Sequence, residues 1–259
     1  MSKAIAITGK GGCGKTTVAA LLVRLLVERG LGPVLAVDAD PNLNLNAALG
    51  VEVEQTVGDV REKLRDSPDS LPGAMSKPEF LRMRVQQALV ESPGFDLLAM
   101  GRPEGPGCYC YANNLLRACV DQLAGRYAFV VMDCEAGLEH LSRRTTKDLD
   151  LLLILTDPTV RGLETAARVI ELVKELDTQV AQTRVIMTRV RPSPTGDGIS
   201  PALRQAARQR GLEIEAALPE NEEIKRLDEE GKPLIRLAAD NPVLRELENL
   251  LEKTGLASS

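Results

Sequence analysis

The chain is predicted to form an α/β fold, a doubly wound, mostly parallel sheet of about seven or eight strands with helices on both faces. Three observations predict it. Short β-rich runs recur along the chain, and most are apolar throughout instead of alternating, as strands buried on both faces read. Between them lie stripes of Leu, Val, Ile and Ala at helical spacing, so strand and helix alternate. A glycine-rich turn joins the first run to the first stripe, a strand–turn–helix context suited to holding phosphate.

The predicted strands are 4–8, 34–38, 96–100, 129–133, 151–156 and 185–188. The first helix carries Val18, Leu21, Leu22, Leu25 and Leu26 at i, i+3, i+4, i+7 and i+8 and stops at Gly30. A second stripe is Leu163, Ala166, Ala167, Ile170 and Val173, and the last helix opens at Pro242 with Asn241 as cap, showing Val243, Leu244, Leu247, Leu250 and Leu251 on one face. Segments 68–78, 101–107 and 192–201 are rich in Pro or Gly and read as surface loops, the second lying just past a strand end where open sheets place ligands. With no internal repeat and no composition break, residues 1–259 are expected to form a single domain.

Composition narrows the partners. Of 259 residues, 32 are basic and 37 acidic, for a net charge of −5, and aromatics are only 2% with no tryptophan. An acidic chain short of stacking rings is not built for nucleic acid. The longest apolar run, 151–155, falls far short of the ~18 residues of a membrane span, and the apolar part of the N-terminus is too short for a signal peptide. No membrane is expected, and the location is expected to be cytoplasmic. Five cysteines, an odd count, point to thiolate ligands or buried fillers instead of disulfides.

The strongest motif is Gly9-Lys10-Gly11-Gly12-Cys13-Gly14-Lys15-Thr16-Thr17, which fits G-x-x-x-x-G-K-[ST]. Glycines let successive amides point inward at phosphate oxygens, aided by the positive end of the following helix. Lys15 is expected to reach the β- and γ-phosphates and the Thr16 hydroxyl to bind Mg²⁺. Phe129-Val130-Val131-Met132-Asp133 is an apolar strand ending in an acid, suited to the Mg²⁺ shell through water. Asp38 and Asp40 follow the second strand, and caps or turn formers remain their simpler reading.

The second lysine, Lys10, resembles the extra lysine of the deviant Walker A motif, KGGxGK[ST], in the family of the nitrogenase iron protein and the Min and Par ATPases. The resemblance implies a P-loop fold of that type and an ATP-sandwiched homodimer, with Lys10 crossing to the partner's nucleotide. It implies that Asp40 orients the attacking water and that Cys134-Glu135-Ala136-Gly137 is a second switch, with the Gly137 amide sensing the γ-phosphate. Lacking an NKxD segment, the chain is expected to take ATP and not GTP.

Gly107-Cys108-Tyr109-Cys110 adds a C-x-C. Side chains two apart on a helix diverge, so such a pair chelates from an extended or turn conformation, which Pro106-Gly107 favours. Two thiolates per chain complete a Cys₄ site only when two copies meet about a dyad, and that set suits Zn²⁺ when tetrahedral and Ni²⁺ when square planar. Two buried small hydrophobes are the alternative. Together with the P-loop and Gly137-Leu138-Glu139-His140-Leu141, the pair resembles the CooC family, nickel-insertion ATPases for carbon monoxide dehydrogenase. The resemblance implies delivery of nickel to apo carbon monoxide dehydrogenase, with the related acetyl-CoA synthase as the other client. It also implies nucleotide-base contacts from Thr188, Arg189, Pro219 and Glu220, although Thr188 stands where the family usually has Asn, and Cys13 where it has Val or Thr. Cys119 and Cys134 read as packing residues, and His140 as either a hydrogen-bonder or a metal shuttle. A positioning ATPase of Min or Par type and an iron–sulfur reductase remain as alternatives.

Overall fold

The computed structural model describes residues 2–66, 83–102, 109–135, 148–175, 179–191 and 196–257. Among them, β1 (Lys3–Gly9), β2 (Val34–Asp38), β3 (Leu89–Ser92), β4 (Phe95–Ala99), β5 (Phe129–Asp133), β6 (Asp148–Thr156), β7 (Gln179–Val190) and β8 (Ile214–Pro219) form one eight-stranded sheet in the order β3-β4-β2-β5-β1-β6-β7-β8. Every adjacent pair is parallel except β3 with β4, a hairpin at one edge. The predicted α/β class is observed. The six strands read from the sequence are all present, while β3 and β8 escaped it. Both are edge strands with partly exposed residues, so neither carries the continuous apolar run that marks a buried strand.

Alternation along the central strands divides two cores. Ile5, Ile7, Leu151, Leu153 and Leu155 belong to one layer, with α1 (Lys15–Glu28) and α8 (Pro242–Thr254). Ala6, Leu152 and Ile154 belong to the other, with α4 (Tyr109–Ala124) and α5 (Val160–Glu175). Gly30 closes α1 as expected: at φ 68° it lets its own amide reach the Val27 carbonyl and the Leu31 amide reach that of Leu26. In α5 the stripe is buried at Leu163 and Ala166, whereas Ala167, Ile170 and Val173 sit at the layer's edge, partly buried. Further helices are α2 (Leu45–Leu49), α3 (Val57–Asp66), α6 (Pro201–Gln209) and α7 (Glu222–Glu229), residues 83–87 are also helical, and a 3-10 turn spans Leu234–Arg236. No helix among the described residues is long and apolar enough to cross a membrane.

Register places the site. Asp133 of β5 pairs with Ile7 of β1 on one side and with Asp38 of β2 on the other, so three adjacent parallel strands end at one level. Their following segments share one crevice, as the sequence reading of an open α/β sheet requires.

Candidate functional site

The turn between β1 and α1 is shaped by close approach. A Cβ on Gly9 would fall 2.1 Å from the carbonyl oxygen of Leu155 in β6, so only glycine leaves β1 there (φ 141°). Gly14 caps α1 in the left-handed region with no side-chain bond to the first turn, leaving its amides open to an anion. Lys15, 9% exposed, holds its ammonium 3.4 Å from the Lys10 carbonyl oxygen. The turn opens on a cavity of about 550 Å³ lined by Gly11, Gly12, Gly14, Lys15, Thr16 and Thr17, together with Asp40, Asn42 and Asn44.

Three acids stand at the strand ends, in different settings. Asp38 is fully buried and accepts from the amides of Asp40 (3.0 Å), Asn44 (3.0 Å) and Leu45 (2.9 Å), thereby capping α2 from a distance. Burial pushes its carboxyl up, against the pull of those amides. Asp40 faces the cavity and accepts from the Asn42 amide and side chain, each at 2.9 Å. Asp133 is 1% exposed and neither of its oxygens completes a hydrogen bond. Burial raises it to about 7; the Thr16 hydroxyl and Lys15 draw it down, while Asp38 and Asp40 push it up. A buried carboxylate whose oxygens complete no hydrogen bond, with the Thr16 hydroxyl near it, is a place for a cation. The fit to Mg²⁺ is good: Thr16 would hold the ion directly and Asp133 through its water shell, where it would neutralise phosphate charge.

The other expected residues divide. Arg189 lines the cavity, from a strained left-handed backbone (φ 55°). Thr188 is buried and donates to the Cys13 carbonyl (2.7 Å), so its hydroxyl braces the P-loop from behind; it is not among the lining residues. Pro219 ends β8 and Glu220 donates its amide to Val190, both outside the cavity lining. Lys10 points away, to Asp157 at 2.7 Å. Cys13 and Cys134 are buried thiols whose pKa burial raises, that of Cys134 to about 12, and Cys119 is likewise buried with a thiol pushed to about 12. Such groups are packing atoms, not thiolates.

At the C-x-C, one expectation is corrected: Cys110 lies in the first turn of α4, a helical backbone and not an extended one, because α4 already begins at Tyr109. Cys108, Gly137 and His140 lie outside the described residues. Among the described residues no three His, Cys, Asp or Glu side chains gather as a metal site. Sequence reasoning missed further residues that line the cavity: Ala47 and Ala48 of α2, with Asp228, Gly231, Lys232 and Leu234. No motif announces these residues. Packing of α7 and the 3-10 turn beside α2 brings them there.

A phosphate-binding turn on a parallel sheet, with acids from two neighbouring strands, defines a nucleotide-binding P-loop protein. The model of the CobQ/CobB/MinD/ParA nucleotide binding domain matches residues 4–234, and the chain belongs to that family. It is an ATP-binding P-loop ATPase. An uncharacterized ATP-binding protein of Methanocaldococcus jannaschii is 45% identical over 251 residues, 96% of this chain and 97% of that one. The carbon monoxide dehydrogenase accessory protein CooC of Rhodospirillum rubrum is 36% identical over 184 residues, covering 66% of this chain and 69% of its own. Among solved structures, the septum site-determining protein MinD complexed with Mg-ADP from Pyrococcus horikoshii OT3 superposes with a TM-score of 0.69 over all of both chains at 24% identity, a likeness of fold.

Proposed function

We propose that this chain, acting as a single ATPase domain, is a metallochaperone that forms a homodimer around ATP and delivers nickel to apo carbon monoxide dehydrogenase, or to the related acetyl-CoA synthase. In this reading the amides of Gly11 to Thr16 bind phosphate, Lys15 neutralises the β- and γ-oxygens, and Asp40 orients the attacking water. Lys10 reaches the partner's nucleotide, and Gly137 reads the γ-phosphate. Cys108 and Cys110 of two chains hold one Ni²⁺, or Zn²⁺ in its place, as cargo.

The observation that carries the reading is the cysteine pair on the segment running from β4 into α4. Just after β4 the chain is tied to the end of β2, since the Met100 amide donates to the Asp38 carbonyl at 2.8 Å. Similarity to CooC of Rhodospirillum rubrum supports the same assignment.

The competing reading is a positioning ATPase, favoured by MinD of Bacillus subtilis at 26% identity over 238 residues. Against it, the apolar stripe of α8 is already buried in the core, and Glu248 and Glu252 on its outer side pair with Arg29. That surface suits neither anionic lipid nor DNA.

Metal analysis of the anaerobic protein with oligomer mass, with and without ATP, tests the proposal. One metal ion per dimer is expected, lost in Cys108→Ser and in Cys110→Ser while ATP binding is unchanged. One ion per monomer that survives both substitutions overturns the shared site. Sedimentation with liposomes or DNA in the presence of ATP would establish the competing reading.

A further inference from the structure

Lys10 is not a free loop lysine. Its ammonium donates to Asp157 Oδ2 at 2.7 Å, an ion pair whose side chains are 39% and 24% exposed. Asp157 follows β6 and is set in place by its own surroundings. Its other oxygen accepts from the Thr159 hydroxyl at 2.6 Å, and that hydroxyl accepts from the Gly162 amide at 3.0 Å, tying the turn to the first turn of α5. At Gly162 a Cβ would fall 2.1 Å from Asp157 Oδ1, so the helix leaves room for this carboxylate by lacking a side chain there. Partial burial works to raise the Asp157 carboxyl, yet its bonds to Lys10 and Thr159 hold it below the ordinary carboxylate range. Beside the pair, Val160 is 47% exposed, one of two large hydrophobic residues left to solvent among the described residues.

A lysine paired at home cannot at the same time lie on the nucleotide of a second copy. The Lys10 side chain is held toward α5 and away from its own cavity, whose lining does not include it. We propose that Asp157 is a positioning residue that holds Lys10 in cis in the unassembled chain, an autoinhibitory contact that each protomer breaks on entering the ATP-bound dimer. The proposal rests on the dimeric ATPase reading above. It gives Asp157 a role opposite to that of a catalytic acid: its charge retains the lysine until the partner's phosphates, which carry more negative charge, compete for it.

The size of the effect follows from exposure. A partly exposed ion pair is worth a factor of about 2 to 5 in an equilibrium, and a dimer breaks two of them, so the latch sets the association threshold by about 4- to 25-fold. Asp157→Asn keeps the oxygen that accepts from Thr159 and removes the charge. ATPase rate per protomer and sedimentation are measured against protein concentration, for wild type and variant, at low and high salt. The variant is expected to reach half-maximal rate and half dimer at a 4- to 25-fold lower concentration, with the same maximal rate, and the gap is expected to close at about 1 M salt, where charges are screened beyond about 3 Å. If wild type dimerises with ATP and the variant needs the same or a higher concentration, the latch is overturned and the dimer reading stands. If wild type stays monomeric with ATP at every concentration, the dimer reading fails and takes the latch with it. Thermal melting checks that the variant folds, and Thr159→Val, which keeps the charge but loosens its setting, provides a second arm with a smaller shift in the same direction.

Discussion

Helix α8 and the carboxyl end of β5 treat their polar groups in opposite ways. In α8 every local rule agrees. Asn241 accepts from the Val243 amide at 3.0 Å, its own side-chain amide donates to Asn221 and Glu223, Pro242 takes the first turn, Gly255 closes the helix at φ 68°, and the stripe from Val243 to Leu251 is at most 3% exposed. At the end of β5 the rules are broken within one residue. Asp133 is as buried as the stripe of α8, yet both its oxygens lack a hydrogen bond and two further acids stand nearby. Sequences satisfy local preferences where a segment has only to be stable, and the exceptions gather where a ligand is due. The nucleotide end of the sheet is thus the part of the fold that binding completes.

The sharpest way to break this contrast is at Lys15. Its ammonium is the cation set deepest in the phosphate turn, so Lys15→Ala is expected to lower ATP hydrolysis by about 10²- to 10³-fold, measured as phosphate release. Turnover near the wild-type level would return the glycine turn to a purely structural role.

Asp133 tests the idea from the side of stability. Its carboxyl titrates near 7 in the folded chain against an ordinary value of 3.8, so between those values the folded form binds more protons than the unfolded. The stability linked to this group is fully present below about pH 4 and is lost as pH rises through 7. Asp133→Asn should therefore stabilise the nucleotide-free protein at pH 8 by roughly 1–4 kcal/mol, with the advantage shrinking to nothing toward pH 4, in denaturant unfolding at each pH. The same variant is expected to lose Mg²⁺-dependent activity, so stability and function move in opposite directions. An Asn variant that is no more stable at pH 8 would mean that the buried carboxylate is satisfied after all.

The smallest effect belongs to α8. Asn241→Ala removes a cap and is expected to cost about 1 kcal/mol, a fall in Tm of about 2–4 °C, with ATP hydrolysis per folded molecule unchanged. A loss of activity there would couple α8 to the site and erase the distinction between the two regions.

Much of this was legible in residue order, for identifiable reasons. The central strands 4–8, 34–38 and 129–133 were readable because burial on both faces leaves no polar alternation, and the glycine turn because phosphate binding constrains backbone and side chains together. Asn241 and Pro242 marked the start of α8 because caps are local. Edge strands β3 and β8 were not readable, since partial exposure removes the apolar signal. Family resemblance points Thr188 toward the nucleotide base, whereas its hydroxyl turns to the Cys13 carbonyl, a choice made by the neighbouring strand and loop.

What residue order determined alone is therefore the alternation of strand and helix, the phosphate turn and the acids at strand ends, all of which depend on neighbours within a few positions. Tertiary structure decided the rest. The cavity lining brings Ala47 and Ala48 together with Asp228, Gly231 and Lys232, and the ion pair of Lys10 joins residues 147 positions apart. Contacts of that kind are set by how helices and strands pack, and no local spacing encodes which distant side chain closes the pair. The buried acid at β5 shows both levels at once: its position at the end of an apolar strand was written in the chain, but its unpartnered, desolvated state arose only when three strands ended at the same level.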